Sequence, residues 1–295
     1  MDRQVNGFLK YLIIEKNSSP HTIVKYKADI NKLYSFLKNN CEIESLELIT
    51  ISHLRQYLEH IKDTGNLSSS TVANKIAVLK SFFKYLYEQG NLDKNPASLL
   101  KMPRRHKKIP KFLNDIELAK LLSAPDRVKN KRSKKFLTRD KLILNLLAFT
   151  GLRKSELLNL NWDDINLGSK YLIVRNGKNK TDRIIPLHEN VYELLERYLS
   201  QRLPLKCNAL IIGEQGKRLG ISSLELIFKK YIRLSGLSGK GYSIHSLRHT
   251  FATMLLNKNV SLVKIKNLLG HKSIESTEIY LHTTGKDLAD SVNLL

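Results

Sequence analysis

Ser243-Ile-His-Ser-Leu-Arg-His249, followed by Leu268-Leu-Gly-His271 and then Ser276-Thr-Glu-Ile-Tyr280, gathers histidines, an arginine and a tyrosine at helical spacings in the last fifth of the chain. His245 and Arg248 are three positions apart, so a helix over 245–257 sets them on one face. His249, one residue on, points elsewhere and packs or hydrogen-bonds. Leu262, Ile265, Leu268 and Leu269 recur at helical steps, and Gly270 stops that helix, which places His271 just beyond its end. Tyr280 follows nine residues later, on a short helix expected over 274–281. Taken singly, each is ordinary: a core histidine beside a surface arginine, a packed aromatic with its hydroxyl at the rim. Their company gives them weight.

Upstream, Thr150-Gly-Leu-Arg-Lys-Ser-Glu-Leu157 adds a second cluster. Gly151 ends a helix over 139–149 that is strongly apolar on one side. Arg153 enters the next helix, where its fork and the backbone N–H groups face an anion. Glu156 orients or neutralises nearby cations. With the C-terminal cluster, these are the residue types of metal-free phosphoryl transfer: cations for the phosphate, a proton-transfer group for each oxygen, a phenol that attacks.

Between the clusters, Tyr171-Leu-Ile-Val174 and Arg183-Ile-Ile-Pro186 read as short strands flanking the turn Asn176-Gly-Lys-Asn-Lys-Thr-Asp182. On composition this is a basic turn and no more. Helices are expected over 115–123, capped by Asn114, and over 189–202, 222–235 and 261–269. Asp163-Asp164 reads as a loop cap, and the basic run 129–135 as a solvated loop.

The first hundred residues read as four amphipathic helices. One lies around 5–15. A second starts at Ser19-Pro20 and carries Ile23, Tyr26, Ile30, Leu33, Tyr34 and Leu37 on one face. A third is capped by Ser52 and carries Leu54, Leu58 and Ile61. A fourth starts near Ser70 and carries Val72, Ile76, Leu79, Phe83 and Leu86. Such helices close a small bundle. Asn95-Pro96 stops the run, and prolines then bracket a basic stretch. The expected organisation is a helical domain over 1–102, a basic linker over 103–111 and a second, mostly helical domain with one small sheet over 112–295. The linker is an ordinary charged hinge or a strap crossing a DNA backbone.

The 295 residues carry 50 basic against 27 acidic side chains, a net charge of +23. A folded protein this basic points to a polyanion, nucleic acid first. Cys41 and Cys207 fit neither a metal spacing nor a disulfide framework, which favours a reducing cytoplasm. Nothing approaches the roughly 18 apolar residues of a membrane span, and no export signal is evident at the N-terminus. No Gly-x-x-x-x-Gly-Lys-[Ser/Thr] loop is present, and no acidic cluster reads as a two-metal site. No cofactor or metal is expected.

These motifs, with Phe8-Leu-Lys-Tyr-Leu-Ile-Ile-Glu-Lys-Asn-Ser-Ser-Pro-His-Thr22 at the start, make the chain resemble the tyrosine recombinases of the phage integrase family, most closely the Xer type. The resemblance spans nearly the whole chain. It implies a mainly α (α+β) protein: an N-terminal four-helix core-binding (SAM-like) domain, then a mostly helical catalytic domain with a small antiparallel sheet. It places the family's arginines on Arg153 and Arg248, its histidines on His245 and His271, and its nucleophile on Tyr280. Its lysine falls on Lys178, five residues before Arg183. The family's Gly-Lys-Gly-x-Lys-x-Arg pattern is altered here by Asn179 and Lys180, so Lys180 competes for that role.

The activity implied is DNA cutting and rejoining through a 3′-phosphotyrosyl bond. The implied partner is double-stranded DNA with paired half-sites, bound by a homo- or hetero-tetramer on synapsed DNA, in the cytoplasm. Leu288, Val292 and Leu295 recur at helical spacing after Gly285. That tail docks on its own domain or, as the resemblance implies, inserts into a neighbouring subunit. A type IB-like topoisomerase activity needs the same groups, and a non-catalytic DNA-binding regulator is the alternative of another class.

Overall fold

The hydroxyl of Ser19 accepts the backbone N–H of Thr22 at 3.2 Å, and Pro20 occupies the first helical position, so the chain enters a 22-residue helix where the sequence signals it. The computed structural model describes residues 2–65, 67–103, 110–129, 135–175, 182–203, 206–271 and 273–280. The chain divides into two compact units, Met1–Lys107 and Lys108–Leu295.

The first unit holds α1 (Asp2–Ile14), α2 (Pro20–Cys41), α3 (Ile51–Gly65) and α4 (Ser69–Glu88). The predicted faces form its core. Ile30, Leu33 and Leu37 of α2 meet Phe8 of α1, Leu54 of α3 and Leu79, Phe82, Phe83 and Leu86 of α4, all buried. Each such side chain contributes roughly 1.5–3 kcal/mol. Ser68 caps α4 by accepting the N–H of Thr71. Ser52 does not cap α3. That helix begins one residue earlier, at Ile51, and the N–H of Thr50 donates to His53 Nδ1 at 3.2 Å.

In the second unit, α5 (Asp115–Ser123) starts at a capping box: Asn114 accepts the N–H of Glu117, and Glu117 accepts that of Asn114. The next helix, α6 (Leu137–Thr150), is the centre of the unit. It was expected to be apolar on one side. Instead Leu142, Ile143, Leu144, Leu146, Leu147 and Ala148 are all buried, the pattern of a helix enclosed by others. Gly151 ends it at φ +62, and α7 (Lys154–Asn159) follows. A side chain at Gly151 would be strained by that φ, and its Cβ would come within 2.5 Å of Phe251.

The sheet is antiparallel in the order β1-β2-β3. The strands β2 (Tyr171–Val174) and β3 (Arg183–Pro186) lie where the sequence put them, with Leu172 opposite Ile185. The two-residue β1 (Ile165–Asn166) is added on the outer edge and is too short for a periodic signal. Then come α8 (Glu189–Arg202), α9 (Ile221–Leu234), α10 (Ile244–Asn257), α11 (Leu262–Leu269) and the single turn α12 (Glu275–Glu278). Tyr280 was expected inside a helix over 274–281. It sits instead in the turn after α12, where its N–H donates to Thr277 at 3.0 Å, a tighter three-residue closure.

Asp164 accepts the backbone N–H of Asn161 at 2.8 Å, the expected loop cap. Most of the basic linker, the loop at 130–134, the turn at 176–181 with Lys178 and Lys180, and the tail at 281–295 lie outside the described residues. Among the described residues no helix is long and apolar enough to cross a membrane.

Candidate active site

Arg248, one turn into α10, is 1% exposed. Its Nη1 donates to the carbonyl of Gly151 at 2.7 Å and its Nη2 to that of Leu269 at 2.6 Å. These carbonyls end α6 and α11, where helix dipoles leave negative charge. The guanidinium thus fastens two helix ends together. Burial, then the neighbouring Arg153, push it down to about 10, against the opposing influence of Glu156 and Tyr280.

Arg153 stands immediately before α7. Its Nη1 donates to Glu156 Oε1 at 2.6 Å and its Nη2 to the carbonyl of Gly270 at 3.2 Å, and its backbone N–H donates to Glu156 Oε2 at 2.8 Å. Its side chain keeps a solvent face, 24% exposed. Glu156 also accepts from Nη1 and Nη2 of Arg183 at 3.1 and 2.8 Å, and Arg248 Nη1 lies 4.0 Å away. Burial alone would raise the Glu156 carboxyl. The Arg183 hydrogen bonds, the Arg153 N–H and the charges of both arginines outweigh it and bring it down to about 2. The expectation that Glu156 orients nearby cations matches this geometry.

Gly270 closes α11 at φ +64, with the Arg183 guanidinium packed where a Cβ would sit. His271 comes next, its Nδ1 2.9 Å from the hydroxyl of the buried Thr277. Burial, then Arg248 and Arg153, push its imidazole down to about 4. His245 lies in the first turn of α10. Desolvation, then Arg248 and Arg153, hold it below its ordinary value. Its ring meets that of His249 edge-on, 4.5 Å between centroids.

Tyr280 is 2% exposed and packs among Phe251, Ala252, Leu256, Ile265 and Leu269. Its hydroxyl lies 2.9 Å from Nδ1 of His249. Burial raises the phenol above its ordinary value, and Arg248 and Arg153 pull partly the other way.

Five of the six residues singled out in the sequence therefore lie around one centre: Arg153, His245, Arg248, His271 and Tyr280. The sixth, Lys178, lies outside the described residues, as does its competitor Lys180. Two further side chains join the cluster, Arg183 and His249. Arg183 served only as a register mark for the lysine, although an arginine in a strand that is otherwise apolar is itself a signal. His249 was expected to pack or hydrogen-bond, with no partner named. Among the described residues no group of three or more His, Cys, Asp or Glu side chains is placed to hold a metal ion.

A helical unit ahead of a mostly helical unit with a three-stranded sheet, and arginines, histidines and a tyrosine gathered from four separate segments, define one class of DNA-acting enzyme. Residues 111–286 match the phage integrase family, and residues 5–90 match the phage integrase N-terminal SAM-like domain. The chain belongs to the phage integrase family, whose tyrosine recombinases cleave and rejoin DNA through a covalent tyrosine intermediate.

It is 35% identical over 299 residues to a tyrosine recombinase of Pseudothermotoga lettingae, covering 100% of this chain and 99% of that one. It is 34% identical to tyrosine recombinase XerC of Pelotomaculum thermopropionicum, over 96% of this chain and 94% of that one. Among solved structures, XerH site-specific recombinase bound to palindromic difH substrate, a post-cleavage complex, is similar with a TM-score of 0.79 at 25% identity. That alignment covers 99% of this chain and 84% of that one.

Proposed function

We propose that this chain is an Xer-like site-specific recombinase whose nucleophile is Tyr280. Its phenolic oxygen attacks a DNA phosphodiester, the bond to the 5′ oxygen breaks, and a 3′-phosphotyrosyl ester forms. Arg153 and Arg248 hold the non-bridging oxygens, with His271 beside them. His245 is the acid/base at the tyrosine. Lys178, or Lys180 in its place, protonates the leaving 5′ oxygen. The ester conserves the bond energy, so a free 5′ hydroxyl reverses the step and rejoins the strand.

The observation that carries this reading is the convergence on Glu156 and on the Leu269–Gly270 backbone. It brings the two arginines, from positions 153 and 248, next to the histidine at 271. Residues 1–102 act as the core-binding domain, 103–111 as the linker and 112–295 as the catalytic domain. The partner is double-stranded DNA with paired half-sites, and the acting species is a tetramer of identical or paralogous subunits on synapsed DNA in the cytoplasm. The charge of +23 supports that partner.

One test finds the DNA site and the linkage together. The protein is mixed with genomic DNA and stopped with denaturing detergent, and protein-linked fragments are sequenced. A recurring sequence with the protein on a 3′ phosphate is expected. DNA released wholly free of protein overturns the proposal.

A further inference from the structure

His249 has no part in the phosphate grip or in the proton transfers assigned above, yet it lies within hydrogen-bond distance of the Tyr280 hydroxyl. Its Nδ1 is 2.9 Å from the phenolic oxygen, and the two rings are tilted by 58° with centroids 5.6 Å apart. The imidazole therefore meets the hydroxyl through its ring nitrogen and does not stack on the phenol. Apolar contacts hold the Tyr280 ring from the other sides: Phe251 and Leu256 of α10, Ile265 and Leu269 of α11. These contacts fix the ring and do not themselves aim the oxygen, because dispersion contacts carry no direction.

The protonation states of the pair are set by its surroundings. Burial, then His245 and Arg248, push His249 down to about 4, so it is neutral at pH 7. A neutral imidazole has one N–H and one lone pair. The phenol, raised by burial, keeps its proton and is a donor. Donor and lone pair match when Nδ1 accepts and Nε2 carries the hydrogen.

We propose that His249 is a further positioning residue of the recombination reaction: its Nδ1 accepts the hydrogen bond of the Tyr280 hydroxyl and fixes where the attacking oxygen sits relative to Arg153 and Arg248. The inference rests on Tyr280 being the nucleophile. His249 holds the oxygen and does not keep the proton, since an imidazole this hard to protonate is a poor final acceptor. The need for such a tether follows from the local fold. Tyr280 sits in a turn behind a helix of only four residues, and so short a helix gives its side chain little rigid support.

The test compares His249→Ala, His249→Asn and His249→Gln in single-turnover covalent capture on the DNA recovered above, with non-covalent binding measured alongside. Asparagine puts an amide where Nδ1 stands; glutamine puts it where Nε2 stands. His249→Ala is expected to form adduct roughly tenfold more slowly, the loss of one oriented hydrogen bond. His249→Asn is expected within about threefold of the parent protein, and His249→Gln near alanine, all with unchanged binding. The Asn–Gln contrast stands even if the alanine variant folds poorly, because the two amides are equally polar.

Adduct formation by His249→Ala at the parent rate or faster overturns the inference, as does equal rescue by both amides. Tyr280→Phe run in parallel separates the two levels. If it still forms adduct, the nucleophile assignment fails and the inference falls with it. If it forms none while His249→Ala is fast, only the inference fails.

Discussion

Arg183 and Glu156 form a two-pronged ion pair, Nη1 to Oε1 at 3.1 Å and Nη2 to Oε2 at 2.8 Å, joining the first residue of β3 to the first turn of α7. The same carboxylate holds Arg153, and Arg183 Nε donates to the carbonyl of Leu268 at 2.8 Å. One buried glutamate and one strand arginine therefore fix the sheet, the start of α7 and the end of α11 in a single arrangement. A buried carboxylate among three arginines neutralises part of their mutual repulsion and leaves net positive charge in the cluster.

Glu156→Gln is expected to keep the shape and lose the charge. The carboxyl is lowered from 4.5 to about 2 in the folded protein. A depressed value means stability that is full above pH 4.5 and lost as the pH falls toward 2, worth roughly 3 kcal/mol in all. Urea unfolding at pH 7 should therefore show the variant less stable by roughly 1–3 kcal/mol, with part of the acid limb below pH 4.5 gone. An unchanged acid limb would mean the carboxylate is not clamped as described.

The histidines act in a higher window. His249 and His271 are each lowered from 6.5 to about 4. In the unfolded chain they take up protons near pH 6.5; folded, they resist until about pH 4. The unfolded state thus binds more protons between these values, and stability rises with pH across them. Each histidine contributes a slope of up to about 1.4 kcal/mol per pH unit there. His249→Asn and His271→Asn should each flatten the stability curve between pH 4 and 6.5 and leave it parallel to the original above pH 7. Steepening in that window would reverse the assignment.

Arg153→Ala and Arg248→Ala should each slow covalent capture by roughly 10²-fold or more, the loss of one charge-stabilising donor. They should differ in stability. Arg153 is partly exposed, whereas Arg248 is buried and its removal strands the carbonyls of Gly151 and Leu269. Arg248→Ala should therefore cost roughly 2–5 kcal/mol and Arg153→Ala clearly less. Single-turnover capture, DNA binding and denaturant titration on both variants check this. Parallel loss of binding and capture would make the arginine a docking residue.

Much of this architecture was legible in the chain because its signals are local. Strands at Tyr171–Val174 and Arg183–Pro186, the helix at Glu189–Arg202 and the cap at Asn114 each depend on neighbours within a few residues. What could not be read depends on distant partners. Arg183 is largely shielded, its side chain 11% exposed, because Glu156 lies 27 positions before it and Leu268 lies 85 after. Helical spacing puts His249 beside His245, four residues back, and their rings meet with centroids 4.5 Å apart, which corrects the expectation that His249 points elsewhere. Spacing could not tell that Tyr280, 31 positions later, returns to that flank. The enclosure of α6 on all sides is likewise set by helices far along the chain.

The turn lysine is tested through its leaving group. Lys178→Ala should be rescued by DNA whose 5′-bridging oxygen is replaced by sulfur, because a thiol of pKa about 8.5 departs without a proton donor. The same assay on Lys180→Ala decides between the two. Rescue of Lys180→Ala and not of Lys178→Ala would move the role to Lys180.

The central claim is that Tyr280 joins the DNA. The protein captured on its DNA is digested with nuclease and protease, and the peptide that keeps a nucleotide is sequenced by mass spectrometry. The account predicts a nucleotide attached through its 3′ phosphate to Tyr280, and no such peptide from Tyr280→Phe. A nucleotide on any other side chain, or one attached through a 5′ phosphate, would contradict it.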